Sequence, residues 1–275
     1  GDVAPDTPIQ CESGLMRVGE HRIHDLHPMG KVEVRTVIQK SSNIGAAKIA
    51  MRQDNMDLWR SLRGFGFGLE PGTGFPGETR GVLKLPRGWQ RFDRATMGFG
   101  QGIATSALQM ARAYAVLANG GLRRPLTLRK QSEGEAPPGQ RVIARETARA
   151  VTNMLVRVVG PEGTGERAAL EGYEVAGKTG TAQKPGEGGY QEDAYVASFA
   201  GFAPARNPRL VAVVMIDEPQ EGYYGGEVAA PVFRRIMARG LRYFRVPPQP
   251  KEGEGVPAPL RQAQDVGAEA GRKAS

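Results

Sequence analysis

Three successive apolar segments near the carboxyl end constrain most strongly what this chain can fold into. They span residues 173–183, 195–203 and 209–217. The last segment contains the unbroken apolar run Leu210-Val-Ala-Val-Val-Met-Ile216, which is typical of a strand covered on both faces. The pattern predicts three strands, followed by a helix over about residues 229–244. That helix would pack on the sheet through Val232, Ile236 and Leu241.

The part of the chain before these strands has mainly helical periodicity. A first helical stretch runs from Val32 to about Gln53 and is interrupted at Ser41-Ser42-Asn43. The sequence Ser106-Ala-Leu-Gln109 fits a capping box, in which two side chains satisfy each other's backbone N–H groups, and predicts the start of another helix. An amphipathic segment over roughly residues 145–159 predicts a third. We therefore expect an α/β protein.

Three further segments lack a helical pattern. A short hairpin is predicted over residues 14–25, where two short strands flank Gly19-Glu20. Residues 64–91 are rich in Gly and Pro and are predicted to form a long loop. From Pro247 onward Pro, Gly, Gln and charged residues dominate, so residues 247–275 are predicted to form a flexible polar tail. Residues 1–246 would then form the folded domain.

The composition argues against a nucleic-acid partner and leaves the location open. The net charge is +8, but the Lys and Arg residues are scattered and no nucleic-acid-binding motif is present. Cys11 is the single cysteine, so no intramolecular disulfide can form. No apolar stretch approaches the ~20 residues of a membrane-spanning helix. Because the chain opens without methionine in a turn-rich segment, we expect it to be a piece of a longer protein.

The sequence Lys178-Thr179-Gly180-Thr181, in the first predicted strand, has side chains suited to acyl transfer from a peptide carboxyl terminus. Lys178 offers a cation for the terminal carboxylate, and Thr179 and Thr181 offer hydroxyl donors on one face of the strand. Gly180 has no side chain, so we expect a helix packed on the other face to come close. At an accessible sheet edge, the N–H of Thr181 could donate to an oxyanion and a peptide substrate could pair with the strand.

Ser41 and Asn43, at the break in the first helical stretch, suit a supporting role in the same chemistry. A serine hydroxyl there could relay a proton between a lysine and a leaving amine, and the Asn side chain could hold a substrate amide. The alternatives are that Ser41 and Asn43 cap helices, and that Lys178 is a solvated lysine on an edge strand. The order of the two motifs and the helical segment between them favour the functional interpretation.

Longer stretches of the chain, over about residues 1–244, resemble class B penicillin-binding proteins of the cell-division type. The stretches are Gln39-Lys-Ser-Ser-Asn-Ile-Gly45, Ala95-Thr-Met-Gly-Phe-Gly-Gln-Gly-Ile103, Ala113-Tyr-Ala-Val-Leu-Ala-Asn-Gly120, Val175-Ala-Gly-Lys-Thr-Gly-Thr-Ala182, Tyr195-Val-Ala-Ser-Phe-Ala-Gly-Phe-Ala-Pro204, Asp217-Glu218-Pro219, Tyr223-Tyr224-Gly225-Gly226 and Ala229-Ala230-Pro231-Val232-Phe233. Ser41 and Asn43 are similar to the family's second motif, and Lys178, Thr179 and Gly180 to its third.

The resemblance implies the αβα sandwich of penicillin-binding transpeptidases and serine β-lactamases, with the site between an antiparallel sheet and an all-helical lobe. It implies a serine-type D,D-transpeptidase that attacks a D-Ala-D-Ala stem peptide of peptidoglycan, releases the last D-Ala and transfers the acyl group to a neighbouring amine at the division septum. β-Lactam antibiotics and division-machinery membrane proteins are the implied partners. The implied location is the periplasmic face of the bacterial inner membrane, and no metal or organic cofactor is implied.

The family's first motif, the Ser-x-x-Lys that carries the nucleophile, does not occur in this sequence. No serine has a lysine three residues later. Thr127-x-x-Lys130 and Thr181-x-x-Lys184 have the spacing with threonine, but one lies in a polar segment and the other overlaps the third motif. We expect the nucleophile and the family's N-terminal strands to lie upstream of Gly1, so that this piece alone is inactive and the outer edge of the last strand is open.

Other functions remain as alternatives at this point. A D,D-carboxypeptidase or a β-lactamase of the same superfamily would pass the acyl group to water. A non-catalytic penicillin-binding sensor would only bind β-lactams, and a scaffold would only bind peptide or division proteins. The spacing His21-x-x-His24-x-x-His27 also suggests a metal site. On the predicted hairpin strand, however, His21 and His24 point to opposite faces and cannot bind one ion together.

Overall fold

The computed structural model describes residues 3–132, 134–135, 137–186 and 189–248. The polar tail predicted over residues 247–275 lies outside the described residues from position 249 onward. The strands are β1 Pro8–Gln10, β2 Leu15–Val18, β3 His21–His24, β4 Lys31–Glu33, β5 Leu122–Arg123, β6 Gln140–Arg141, β7 Ala176–Gly186, β8 Gly189–Ala203 and β9 Leu210–Asp217. The helices are α1 Val34–Lys40, α2 Asn43–Ala50, α3 Asn55–Phe65, α4 Arg91–Met97, α5 Ala107–Ala118, α6 Arg145–Val159 and α7 Gly225–Tyr243, and a short 3₁₀ turn spans Glu166–Ala168.

The main sheet is antiparallel and has β8 at its centre. Its order is β7-β8-β9, with Gly180 opposite Ser198 and Phe199 opposite Val214. In the described part of the chain β7 and β9 each have one strand neighbour, so each forms an edge. The edge position of β7 matters because the segment Lys178-Thr179-Gly180-Thr181 lies within it.

Helices cover both faces of this sheet and make a three-layer αβα arrangement. On one face, Phe199 and Val214 pack with Phe233 and Met237 of α7 in a continuous apolar core. On the other face, a second core combines the sheet with α5 and α6, and its fully buried members are Leu155, Ala176, Phe202 and Ala205. The apolar run in β9 contacts both layers, through Val214 on the α7 side and Val211 on the other, but Met215 is 49% exposed, so the expected cover on both faces is incomplete.

The face by which α7 contacts the sheet differs from the prediction at one position. Val232 and Leu241 contact the core as expected, but Ile236 is 50% exposed. The buried stripe instead follows Ala229, Phe233, Met237 and Leu241, which recur at helical spacing. Ile236 precedes Met237 by one residue, which rotates its side chain about 100° away from that stripe. The prediction for Ile236 was therefore wrong.

The helical part of the chain holds the Ser41 segment in place. The hairpin of β2 and β3 packs its buried residues Met16, Val18 and Ile23 against α2 and α4. Met154 of α6 packs against Val34 and Val37 of α1 in another core. Both helices that flank Ser41 are thereby anchored, α1 to the helix that also covers β7 and α2 to the hairpin.

Most of the predicted elements are confirmed, with shifts at their ends. The hairpin, the break at Ser41, the capping box of Ser106 and Gln109, and the helix over 145–159 are all present. The segment over 64–91 is mainly irregular, as expected. The sequence analysis missed α3 and α4, both short helices in polar or Gly-rich surroundings, and the pairing of β1 with β4.

Candidate active site

The two motif segments identified in the sequence come into direct contact. Lys178 Nζ in β7 donates a hydrogen bond to Ser41 Oγ at 2.8 Å, across 137 positions of sequence. The same ammonium group lies 3.3 Å from the carbonyl oxygen and 3.4 Å from Oγ1 of Thr179. A helix junction and a strand edge therefore present one lysine and two hydroxyls to a common space.

The backbone at the helix junction explains why Ser41 can reach Lys178. Ser41 ends α1 in the left-handed conformation, with φ 61°, and this single residue redirects the chain before α2 begins. Its neighbour Ser42, not Ser41 or Asn43, is the side-chain cap of α2, because its Oγ accepts from the backbone N–H of Gly45 at 2.9 Å. The capping role considered for Ser41 and Asn43 therefore belongs to the residue between them, and the Ser41 hydroxyl is available for Lys178.

Asp25, which the sequence analysis did not single out, fixes this junction from the end of the hairpin. Its carboxylate accepts from Ser42 Oγ at 2.6 Å and from the backbone N–H of Ile44 at 3.0 Å. Ser42 is only 2% exposed, so its hydroxyl depends on this partner. The only sequence signal was an acidic residue placed directly after a predicted strand. Asp25 thus connects the hairpin to the turn that presents Ser41.

Asn43 is oriented by the same hairpin. Its Nδ2 donates to the carbonyl oxygen of His24 at 2.9 Å, which fixes the plane of the side-chain amide. The residue is half-buried beside Ser41. Asn43 thus lies two residues after Ser41 at the start of α2, and its amide nitrogen is engaged with the backbone of β3.

Lys178 is not a solvated edge lysine. The residue is half-buried, and its removal from water lowers the pKa of the ammonium group to about 8. Desolvation is the sole cause of this shift, so no carboxylate in the described part of the chain offsets it. A lysine with this pKa is mainly protonated at neutral pH yet releases its proton more readily than an ordinary lysine.

Thr179 and Thr181 lie on the face of β7 that meets α7, as the alternation of the strand predicts. Thr181 Oγ1 accepts from the backbone N–H of Gly225, the first residue of α7, at 3.0 Å. Thr179 Oγ1 lies 2.9 Å from Oγ1 of Thr164, a residue in the loop between α6 and the 3₁₀ turn. Each threonine hydroxyl therefore already has a partner that fixes its position.

The reason for a glycine at position 180 differs from the expected one. A Cβ on Gly180 would lie 2.5 Å from Ser198 Oγ on the neighbouring strand, so a serine hydroxyl and not a helix occupies that side. The close approach of a helix occurs at the Gly180 carbonyl instead, where a Cβ on Gly225 would lie 2.4 Å away. Glycine at 225 thus lets the N-terminus of α7 rest on the backbone of β7 and β8.

The loop over residues 160–165 contacts both motif segments. Lys40, next to Ser41, forms an ion pair with Glu162 at 3.3 Å, and Gln39 Nε2 donates to the carbonyl oxygen of Pro161 at 3.3 Å. The same loop carries Thr164, which contacts Thr179. The loop therefore contacts both the end of α1 and β7, and it was missed because no single residue in it has a chemical signature.

Three tyrosines form an exposed aromatic cluster beyond Thr181. The rings of Tyr195 and Tyr223 stack with centroids 4.5 Å apart, and those of Tyr223 and Tyr224 lie 4.4 Å apart. Tyr224 directly precedes Gly225, whose N–H contacts Thr181. The cluster offers an apolar surface beside the carboxyl end of the motif strand.

Metal and membrane sites are not evident in the described residues. Within those ranges no group of three or more His, Cys, Asp or Glu side chains could hold a metal ion. His21 and His24 lie on β3 as predicted, and His21 stacks on Phe92 with ring centroids 4.0 Å apart. Among the same residues, no helix combines the length and the apolar character needed to cross a membrane.

Comparison with known proteins connects this geometry to one family. The model of the penicillin binding protein transpeptidase domain matches residues 1–238. PenA of Neisseria gonorrhoeae, a probable peptidoglycan D,D-transpeptidase, is 42% identical over 233 residues, which are 84% of this chain and 40% of that protein. The peptidoglycan D,D-transpeptidase FtsI of Escherichia coli K12 is 40% identical over 233 residues, 84% of this chain and 39% of that protein. The chain thus spans about 40% of the length of these relatives.

The fold agrees with solved structures as well. The apo structure of the TP domain from Burkholderia pseudomallei penicillin-binding protein 3 matches with a TM-score of 0.86 and 43% identity, covering 90% of this chain and 76% of that one. A crystal structure of a peptidoglycan glycosyltransferase from Burkholderia ambifaria matches with a TM-score of 0.83 and 40% identity, covering 90% and 75%.

Proposed function

The chain belongs to the penicillin-binding protein transpeptidase family, and from this premise we propose that the protein carrying it is a peptidoglycan D,D-transpeptidase. The observation that carries the proposal is the hydrogen bond from Lys178 Nζ to Ser41 Oγ. It places a lysine of lowered pKa and a hydroxyl next to a strand edge that can hold a peptide.

Acyl transfer begins when a nucleophilic serine Oγ attacks the carbonyl carbon between the last two D-Ala residues. The peptide C–N bond breaks, and the leaving D-Ala amine takes up a proton. The attacking serine gives its hydroxyl proton to a general base beside it, while Ser41 gives its hydroxyl proton to the leaving amine and receives one from Lys178. The base thus gains the proton that Lys178 loses, and it returns that proton to the serine when the ester is cleaved. In the second half, an amine from a neighbouring stem peptide attacks the ester, and the same relay returns the proton.

The strand edge positions the substrate during these steps. The terminal carboxylate of the stem peptide lies near Lys178, and the hydroxyls of Thr179 and Thr181 donate to it. The backbone N–H of Thr181 is the proposed oxyanion donor, and the side-chain amide of Asn43 contacts the peptide. β-Lactams, which carry an acylating carbonyl and a carboxylate, are expected to occupy the same positions. This positioning chemistry uses neither a metal nor an organic cofactor.

The experiment that tests the proposal uses the full-length protein with a stem pentapeptide ending in D-Ala-D-Ala. A transpeptidase releases D-Ala and forms a cross-linked product when an acceptor amine is present. Release of D-Ala without cross-linking would indicate a D,D-carboxypeptidase, and turnover of a β-lactam would indicate a β-lactamase. A β-lactam adduct without D-Ala release would indicate a penicillin-binding sensor, and the absence of both would indicate a non-catalytic scaffold.

Similarity to FtsI supports a more specific setting for this activity. We place the protein at the division septum, on the periplasmic face of the bacterial inner membrane, where division-machinery membrane proteins would be its partners. A fluorescent fusion of the full-length protein should collect at midcell in dividing cells. A uniform distribution around the cell would argue for a role in general wall growth instead.

A further inference from the structure

Thr164 lies beside the motif strand although it belongs to none of the motif segments. Its Oγ1 is 2.9 Å from Thr179 Oγ1, and this is the side-chain hydrogen bond that Thr164 makes within the described part of the chain. The residue is exposed at the surface of the candidate site. Because Thr164 is exposed, core packing does not explain why its hydroxyl contacts that of Thr179, a proposed substrate-binding group.

The backbone around Thr164 is closely packed, so the loop conformation fixes the contact between Thr164 and Thr179. Gly163 approaches α6 so closely that a Cβ there would lie 2.0 Å from the carbonyl oxygen of Val158. A Cβ on Gly165 would lie 2.8 Å from the ring of Phe199. From the other side, a Cβ on Gly226 would lie 2.2 Å from the carbonyl oxygen of Thr164 itself. Three glycines thus let the loop fit between α6, β8 and α7.

The direction of the hydrogen bonds follows from the chemistry of the donors. A lysine ammonium group donates and cannot accept, so Thr179 Oγ1 accepts from Lys178 Nζ, 3.4 Å away. The single proton of Thr179 is then directed either to Thr164 Oγ1 or to a ligand. Without a ligand, either hydroxyl of the Thr164–Thr179 pair can be the donor. When a carboxylate arrives, Thr179 donates to the carboxylate, and Thr164 donates to Thr179.

We propose that Thr164 is a positioning residue that keeps the Thr179 hydroxyl oriented toward the carboxylate of the substrate or of a β-lactam. The sequence Ser41 Oγ, Lys178 Nζ, Thr179 Oγ1 and Thr164 Oγ1 forms one connected row of hydrogen bonds. Thr164 terminates that row. Removal of the Thr164 hydroxyl leaves the Thr179 hydroxyl free to rotate. This weakens recognition of the carboxylate and leaves the acylating chemistry intact. This inference rests on the proposed function.

The test compares acylation of the full-length protein by a penicillin and by the methyl ester of the same penicillin. Thr164→Val keeps the β-branched shape and removes the hydroxyl, and Thr164→Ser keeps the hydroxyl. We expect Thr164→Val to lower the second-order acylation rate constant about tenfold for the free acid, in line with the loss of the one hydrogen bond that orients the Thr179 hydroxyl. The methyl ester should react at an unchanged rate, and Thr164→Ser should react like wild type with both.

A matched control and a double-mutant cycle separate positioning from a structural effect. Thr127→Val removes another exposed hydroxyl, one bonded only within its own turn, and should leave both reactions unchanged. Because Thr164 acts through Thr179, adding Thr164→Val to a Thr179→Val variant should cause no further loss. With the pentapeptide substrate, Thr164→Val should raise KM and leave kcat nearly constant.

Two outcomes would overturn the inference while leaving the proposed function standing. One is wild-type acylation of Thr164→Val by the free acid. The other is an equal loss for acid and ester, which would show a general disturbance of the site. If the wild-type full-length protein is not acylated by any penicillin, the proposed function fails and this inference fails with it.

Discussion

Lys178 Nζ lies 2.8 Å from Ser41 Oγ, although the two residues are 137 positions apart in sequence. Other parts of the fold fix the position of each residue independently of this contact. Ser41 is placed by a left-handed turn between α1 and α2, and Lys178 by its position on an edge strand that α6 covers. The contact therefore depends on correct packing of the helical part against the sheet. It also joins the two groups of the proposed proton relay to the strand that we propose binds the substrate carboxylate.

Removal of the Ser41 hydroxyl should disable the proton relay without unfolding the protein. Ser41 is exposed, so Ser41→Ala leaves no buried group without a partner. We expect acylation of the full-length protein by a β-lactam to slow by about 10²–10⁴-fold, the usual contribution of a positioned proton-transfer group. Stopped-flow or mass-spectrometric acylation rates give the measurement. A Ser41→Ala variant as fast as wild type would remove Ser41 from the relay.

Loss of the Asp25 carboxylate should weaken both the fold and the activity. In Asp25→Ala the buried hydroxyl of Ser42 and the N–H of Ile44 lose their acceptor, which should cost about 1–3 kcal/mol of unfolding free energy. Because the turn that presents Ser41 is then less fixed, acylation should fall by about ten- to a hundredfold. Urea unfolding and acylation rates measure the two effects.

Asp6→Asn is a suitable control for the Asp25 variant, since Asp6 is exposed and far from the helix junction in sequence. It should change neither stability nor acylation. The positioning role of Asp25 would be contradicted if Asp25→Ala lost stability but kept the wild-type acylation rate under conditions in which it is fully folded.

The pH dependence of acylation should show the titration of Lys178. Burial lowers its pKa to about 8, so the ammonium group is charged below that pH and neutral above it. Both proposed roles, holding a carboxylate and donating a proton to the leaving amine, need the charged form. The second-order acylation rate constant should therefore be level below pH 8 and fall as the pH rises through about 8.

A Lys178→Arg variant provides the comparison for this profile. Arginine stays charged over the accessible pH range, so the decline near pH 8 should disappear even though the overall rate is lower. A decline that persists at the same pH in Lys178→Arg would assign the titration to another group.

A side chain at position 225 should disrupt the contact between α7 and the motif strand. The Cβ in Gly225→Ala would lie 2.2 Å from the carbonyl oxygen of Ser198 and 2.4 Å from that of Gly180. Relief of this overlap requires α7 to move, so we expect a loss of about 1–3 kcal/mol and a reduced acylation rate. Gly160→Ala, where the nearest atoms lie at an ordinary 3.6 Å, should be tolerated. Equal stability of the two variants would contradict the close approach.

The elements that carry strong local patterns could be predicted from the sequence. The helix that begins at Ser106 has its capping box, α6 has a clear apolar stripe, and β9 is a continuous apolar run. The extension of β7 and β8 beyond the predicted segments could not be predicted, because those residues are mostly polar and lack the apolar pattern of a strand. The exposure of Ile236 could not be predicted either, since α7 offers apolar residues on more than one face and only packing selects among them.

The residues of the candidate site likewise divide into those that could be proposed from the sequence and those that could not. Ser41, Asn43 and Lys178 to Thr181 could be proposed from the sequence because their residue types and order match a chemical requirement. Asp25 and Thr164 were missed because each acts on a neighbour that is distant in sequence, and an isolated aspartate or threonine has no local signature. Gly225 belongs with them, since the need for a glycine there arises from the carbonyl groups of two strands.

Intact-protein mass spectrometry of the full-length protein after incubation with a β-lactam tests the central claim most directly. The account predicts a single covalent adduct on the wild-type protein, formed far more slowly when Ser41 is Ala or Lys178 is Met, while both variants remain folded. An adduct that forms at the wild-type rate in both variants would show that the Lys178–Ser41 contact has no part in acyl transfer. The absence of any adduct on the wild-type protein would contradict the transpeptidase assignment itself.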